Sequence, residues 1–367
     1  MIRLYRSLVS ARALLSVLAL LISGLSVHAQ PSGALGDDFI YRVVRDDTLI
    51  HLAQRYTHDD SNWRRLQDLN NVAEPTRMPI GRIIRIPFSL IPEETATATI
   101  AHIRGEARVN GKRARAGEVI HEGDNLETGD SNSFLTLALP DGGEASLPGA
   151  TTMQIERLRT FTGTGLIDAI IRLRSGGLET SVAPEDQGTG RYEIRTPVSI
   201  TGVRGTHFRV RLDTHQHVYN EVLAGTAQLG QEAANGPQVA TNQGAVVEAS
   251  GTIQPVRRLL PAPVLAEALD GSELSFEPLE GAVGYQVRTA ADPLGIRPFS
   301  VQALAEPPAV LGIPSATTWY VLVRGIDENG LMGPDAVLEV EGGHVLTSTD
   351  GLAVLDGSGQ PVQLTVY

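Results

Sequence analysis

The sequence predicts a mainly β, multidomain protein: a small βααβ module, a central all-β domain and a C-terminal β-sandwich. Three observations carry this. Only 5% of the chain is aromatic, while 38 glycines and 21 prolines leave Leu, Val and Ile to build the cores between frequent turns. From Ala98 to about Ser250, short apolar alternations broken by glycine recur every ~8–12 residues, as in FLTLALPDGG and THFRVRL. Beyond the N-terminal segment, helical periodicity is clearest in one stretch: Leu49, Leu52, Ala53 and Tyr56 repeat at i, i+3, i+4 and i+7.

The first 29 residues read as a cleaved signal peptide. Arg3, Arg6 and Arg12 precede an apolar run from Ala13 to Val27, and Val27-His28-Ala29 fits a small-x-small cleavage site. That run is short against the roughly 20 apolar residues of a membrane span. The chain is therefore expected to be exported to the periplasm or cell envelope, with no transmembrane segment after cleavage. The leader holds three arginines and no acid, so the remaining 338 residues carry 27 basic side chains against 42 acidic ones, a charge of −15. Such a surplus of acid argues against sequence-independent nucleic-acid binding, which needs cations for phosphates. With no cysteine, disulfides, thiolate metal sites and thiol nucleophiles are excluded.

Asp47-Thr48 offers the N-cap of a first helix, and a second starts near Asn62 with Trp63, Leu66 and Leu69 on one side. Strand-like Tyr41-Arg42-Val43 precedes the pair and Ile83–Pro87 follows it, giving a compact module held by Val43, Leu52, Trp63 and Ile84. Residues 89–97 and 251–263 read as Pro-marked linkers. Between them, Asp141-Gly142-Gly143 suits a hairpin turn, and LIDAIIRL (166–173) is compatible with a short helix. After the second linker, Leu274/Phe276, Tyr285/Val287 and Trp319/Val321/Val323 give the alternating inward faces of a sandwich. The tail, 342–367, reads as one or two strands of uncertain attachment.

Tyr41-x-Val43, Asp46-Asp47-Thr48-Leu49, Leu52-Ala53, Leu69-Asn70-Asn71-Val72 and the run from Pro79 to Pro87 resemble a LysM domain over residues 39–88. The resemblance implies binding of N-acetylglucosamine-containing glycans, typically peptidoglycan, in a shallow groove between two loops. Carried onto this sequence, those loops supply Asp46, Asp47, Thr48 and Leu49 on one side and Asn71, Val72, Met78, Pro79 and Ile80 on the other. An N-acetyl group needs backbone donors and acceptors for its amide and apolar contact for its methyl, for which Leu49, Val72, Met78 and Ile80 are candidates. The same residues also suit a purely structural part. Asp46 stands where the family usually has glycine, and aspartate tolerates a left-handed backbone better than most residues.

Arg195-Thr196-Pro197, Val203-Arg204-Gly205-Thr206-x-Phe208, Gly176-Gly177-Leu178 and the run from Asn220 to Thr226 resemble a FecR-type domain over 97–250. Members of that family include periplasmic sensor parts of iron-uptake signalling, which carry a cytoplasmic segment and a membrane span. Here the leader runs straight into the LysM-like module, so the resemblance covers the domain and not the circuit. Residues 263–341 resemble a fibronectin type III-like module, a spacer or contact domain that implies no site.

The stretch GVRG (202–205) permits three readings. A phosphate loop needs further glycines and a helix to follow, whereas THFRVRL alternates like a strand. A catalytic arginine needs an acid–base partner, and none is signalled nearby. The alternation changes phase between Gly202 and Gly205, as a bulge or tight bend requires. This favours a sheet corner formed by Gly202, Arg204, Gly205 and Thr206, with Arg204 pairing a freed carbonyl or Glu193; a partner-binding edge is the other reading. His215-x-His217 with His207 suggests a metal only weakly against exposed loop histidines. His121-Glu122 lacks the second histidine of a zinc-protease helix, Lys112 is the only lysine, and no Gly-x-Ser-x-Gly occurs. The expectation is a non-catalytic peptidoglycan-binding envelope protein without cofactor or metal, its other domains contacting a further envelope protein. A wall-glycan hydrolase delivered by the first module and a signalling component with a membrane partner are the competing classes.

Overall fold

The computed structural model describes residues 31–35, 38–181, 191–231, 236–270, 272–313 and 318–341, with residues 346, 354, 356–357 and 362 of the tail. The leader and most of the tail lie outside these residues. Among those described, no helix is long and apolar enough to cross a membrane.

The N-terminal module forms the two predicted helices, Leu49–Thr57 and Trp63–Asn70. Thr48 caps the first, its Oγ1 accepting from the His51 N–H, which satisfies an otherwise orphaned donor. Leu49, Leu52, Ala53 and Tyr56 are buried as their spacing requires, against Phe39, Tyr41, Val43 and Ile84. Trp63 is only partly buried and Leu69 is exposed, so Leu66 alone anchors the second helix deeply. The sheet has three antiparallel strands, Pro31–Leu35, Asp38–Arg42 and Ile83–Pro87. The first of these has no apolar alternation to announce it.

The stretch read as a linker at 89–97 is built into the fold. Glu93–Thr95 pairs with the strand Thr152–Phe161. Its three side chains are exposed, as befits a charged edge strand, and this made it look like a tether. Just before it Phe88 stacks on Phe161 with ring centroids 4.2 Å apart, and Phe161 and Leu166 complete the core of the N-terminal module.

The central region is one sheet around one apolar core. Its main path runs through Arg257–Arg258, Gln243–Val247, Val218–Gly230, Ile200–Leu212, Arg191–Arg195, Ile167–Ser181, Glu144–Leu147, Phe134–Ala138, Ala98–Arg104 and Val119–Ile120. Residues 167–173 are strand, not helix. Asp168 is fully buried and ion-paired with Arg157 Nε at 2.8 Å, so a polar residue sits inside and the alternation that marks a strand is lost. At Gly176 this strand changes partners, from Thr152 opposite Ser175 to Leu212 opposite Gly176. The glycine has φ +78°, and a Cβ there would lie 2.3 Å from Thr151 Oγ1. The Asp141-Gly142-Gly143 turn joins Phe134–Ala138 to Glu144–Leu147.

GVRG lies inside one continuous strand, Ile200–Leu212, and not at a corner. Its ladder with Val218–Gly230 runs to Arg204 opposite Thr226, slips, and resumes with His207 opposite Ala224 and Phe208 opposite Val222. A bulge changes the phase without reversing the chain. The reversal comes earlier, at Thr196–Ser199, where the Thr196 N–H donates to the Ser199 carbonyl. The side chains of Arg204 and Thr206 lie outside the described residues. Glu193, proposed as a partner for Arg204, is paired with Arg195 at 2.5 Å.

The second supposed linker is also docked, since Arg257–Arg258 extends the central sheet and Leu259 is buried with Val246 and Leu331. The C-terminal region holds a four-stranded antiparallel sheet, Pro298–Leu304, Ala282–Ala290, Thr318–Asp327 and Ala336–Glu341, and the short pair Glu273–Leu274 and Ala309–Val310. Tyr285, Val287, Val321 and Val323 face Leu274, Phe276, Leu311 and Ile313 in its core. The alternate residues Arg288, Leu322 and Arg324 are buried as well, because that face lies on the central sheet.

Candidate functional site

The loops expected to frame a sugar are those opening the first helix and preceding the last strand of the N-terminal module. They meet directly: the Leu49 N–H donates to the Pro75 carbonyl at 2.9 Å. Asp46 adopts φ +70°, the left-handed turn that the sequence requires there. Asp47 closes the same loop from inside, its Oδ2 accepting from the Val44 N–H at 2.7 Å and from the Tyr41 hydroxyl at 2.8 Å. Burial, then that bond to Asp47, pushes the Tyr41 phenol above its ordinary range. On the other side Asn71 ends the second helix with φ +48°, and Arg82 Nη2 donates to the carbonyls of Asn70 and Asn71.

The nine positions fall into two groups. Leu49, Val72 and Met78 are buried in the module core, and Asp47 and Thr48 are half-buried and committed to the loop and the cap. Asp46, Asn71, Pro79 and Ile80 are exposed, Ile80 at 67%. Ile50 and Ile83 are also exposed apolar residues of this module. Residues 41–87 match the family model for the LysM domain, and residues 124–228 match that for the FecR protein. The chain carries a LysM domain followed by a FecR domain. Both families occur in envelope proteins and are typically non-catalytic, and LysM domains are associated with glycans.

A comparison with curated proteins gives no match. Among solved structures, two crystal structures of an anti-sigma factor candidate from Parabacteroides distasonis ATCC 8503, at 1.65 and 2.50 Å resolution, overlap 36% of this chain with 17% identity and a TM-score of 0.29. The overlap takes in 59% and 58% of those chains, so this chain spans under two thirds of their length. So slight an overlap carries no argument about function.

The FecR domain holds a second cluster that sequence reading missed. Glu179, on the strand Ile167–Ser181, receives hydrogen bonds from Arg324 and Arg288 of the C-terminal sheet, all at 3.2–3.3 Å. Asp335 takes the same two arginines from the other side, at 2.6–2.8 Å. Next to them Arg209 pairs with Glu221 at 2.9 Å and donates to the carbonyls of Met332 and Gly333. Burial alone would raise the Glu179 carboxyl, but Arg324, His207 and Arg209 outweigh it and hold the group below the usual carboxylate range. Asp335 moves the other way, raised by burial and by Glu179 against the pull of Arg324. A cavity of about 330 Å³ adjoins the cluster, walled by Phe134, Leu178, Val210 and Pro298 among others. The only sequence signal was a set of charged residues alternating with core positions, which reads as a solvated face until the second sheet is placed on it.

The three histidines weighed as metal ligands are divided between two carboxylates. His207 lies 3.4 Å from Glu179, whereas His217 lies 3.4 Å from Asp213 and His215 donates to that carboxylate through its backbone N–H.

Proposed function

We propose that the chain is a non-catalytic, exported envelope protein, its leader at 1–29, whose LysM domain binds N-acetylglucosamine-containing glycan, peptidoglycan foremost. The FecR domain and the fibronectin type III-like module form a block for contact with another envelope protein. One observation supports the site above all: the two loops are locked together by the Leu49–Pro75 bond while Ile80 stands exposed on the second of them. Ile80 and Pro79 are assigned the apolar face of the sugar ring, and the loop residues about Asp46 and Asn71 the N-acetyl amide. Leu49, Val72 and Met78 support those loops from below.

Sedimentation of the full chain with purified peptidoglycan tests this. Retention is expected for the unmodified protein and a loss of tenfold or more for Ile80→Asp. Equal retention of the two overturns the site, and no retention of either overturns the function. The full chain is needed because Phe161 and Leu166 belong to the LysM core. Muropeptides released by the purified protein would overturn the non-catalytic reading.

A further inference from the structure

The segment 291–299 of the C-terminal region lies across the strands Ala98–Arg104 and Phe134–Ala138 of the central sheet. Three contacts seat it. Thr136 Oγ1, fully buried, donates to the Ile296 carbonyl at 2.6 Å. The Arg104 guanidinium covers the Phe299 ring at 3.9 Å. The third is His102, opposite Thr136 in the ladder, whose ring bonds the Pro298 carbonyl. The other ring nitrogen, Nε2, is buried with no partner among the described residues.

We propose that His102 is a proton-sensitive latch: neutral, it holds the 291–298 segment on the FecR domain, and protonated, it releases that segment. A neutral ring meets the site's needs, since Nδ1–H donates to Pro298 and Nε2 requires no acceptor. A proton on the buried Nε2 has no acceptor among the described residues, and an unsatisfied buried charged donor is costly. The charged neighbours are Arg104 on its own strand and Arg297 and Asp292 on the docked loop. Asp292 is occupied with closing that loop, accepting from the N–H groups of Leu294, Ile296 and Arg297 at 2.7–3.1 Å. Burial, then Arg297, holds the ring below the ordinary histidine value of 6.5, against the smaller pull of Pro298 and Asp292. A depressed histidine contributes stability that is complete above about 6.5 and is lost as pH falls through the lower docked value. One proton limits the change to about tenfold per pH unit.

Trp319 packs edge-on against Phe299 at 5.1 Å and so reports on the latch. The chain has one other tryptophan, Trp63, and Trp63→Phe leaves Trp319 as the only emitter. Emission from this full-length variant is expected to shift between pH 7.5 and 5, with a midpoint below 6.5 and far-ultraviolet dichroism unchanged. Adding His102→Asn, which keeps a donor for Pro298 and cannot take the proton, is expected to abolish the shift. A shift of the same midpoint in both variants, or none in the first, overturns the proposal. If His102→Asn does not fold, NMR titration of the His102 ring in the unmodified chain decides: a value at or above 6.5 overturns it and a lower one supports it.

Discussion

Where the LysM domain meets the FecR domain, Phe88 stacks on Phe161 and Leu166 fills the gap behind them. Where the FecR domain meets the C-terminal sheet, three arginines and three carboxylates are packed together: Arg209, Arg288, Arg324 and Glu221 are buried, and Glu179 and Asp335 are partly buried beside them. Both joints fix their partners, and they do so by opposite physics. The apolar joint is non-directional and insensitive to protons. The ionic one depends on geometry, because each charge loses its water on docking and must recover it from named partners. Removing one member of such a set costs far more than the set contributes, since it strands the others in low dielectric.

The sharpest way to break this contrast is at Glu179. Glu179→Ala leaves Asp335 as the one carboxylate paired with Arg288 and Arg324 and is expected to cost about 3–5 kcal/mol in denaturant unfolding. Its pH dependence follows from the depressed carboxyl. The contribution is fully present above about 4.5, the ordinary glutamate value, and falls away at lower pH as the unfolded chain takes up a proton that the native state refuses. Glu179→Gln is expected to flatten the acid limb of a stability–pH curve, and an unchanged limb would remove Glu179 as its source. Asp335, shifted upward by burial and in part by Glu179, works in the opposite sense and loses the Glu179 part of its shift in this variant.

At the apolar joint Leu166→Ala is expected to cost about 3 kcal/mol through the cavity it leaves. This loss should be the same at pH 5 and pH 8 and confined in hydrogen exchange to the LysM domain and its FecR neighbour. A strongly pH-dependent loss would blur the distinction between the joints. The smallest effect concerns the loop itself. Asp46 holds φ +70°, where glycine is unstrained, so Asp46→Gly is expected to raise stability by ~0.5–1 kcal/mol. A fall in melting temperature would show that the aspartate side chain contributes something the backbone argument omits.

These differences also explain what the sequence made legible. The LysM domain was read at 39–88 against a family match of 41–87 because its signals are local: a cap at Thr48, four apolar residues on one helix face and the left-handed Asp46. The joints were opaque because their partners are far apart in the chain. Glu179 and Arg324 are separated by 145 residues, and no periodicity connects them. The same blindness turned two edge strands into linkers and allowed a helix at 166–173, where a buried Asp168 disguised the strand. Within the candidate site, sequence reading named the loops but could not sort core from surface. Leu49 and Ile80 look alike as letters, yet one is fully buried and the other 67% exposed.

That last distinction leads to the most direct test of the glycan site. The full chain, isotopically labelled, is titrated with an N-acetylglucosamine oligomer while its backbone amides are followed by NMR. Shifts confined to residues 46–50 and 71–83, and lost in Ile80→Asp, are the predicted result. Saturable shifts elsewhere with these amides unmoved, or no shift at all, would contradict it.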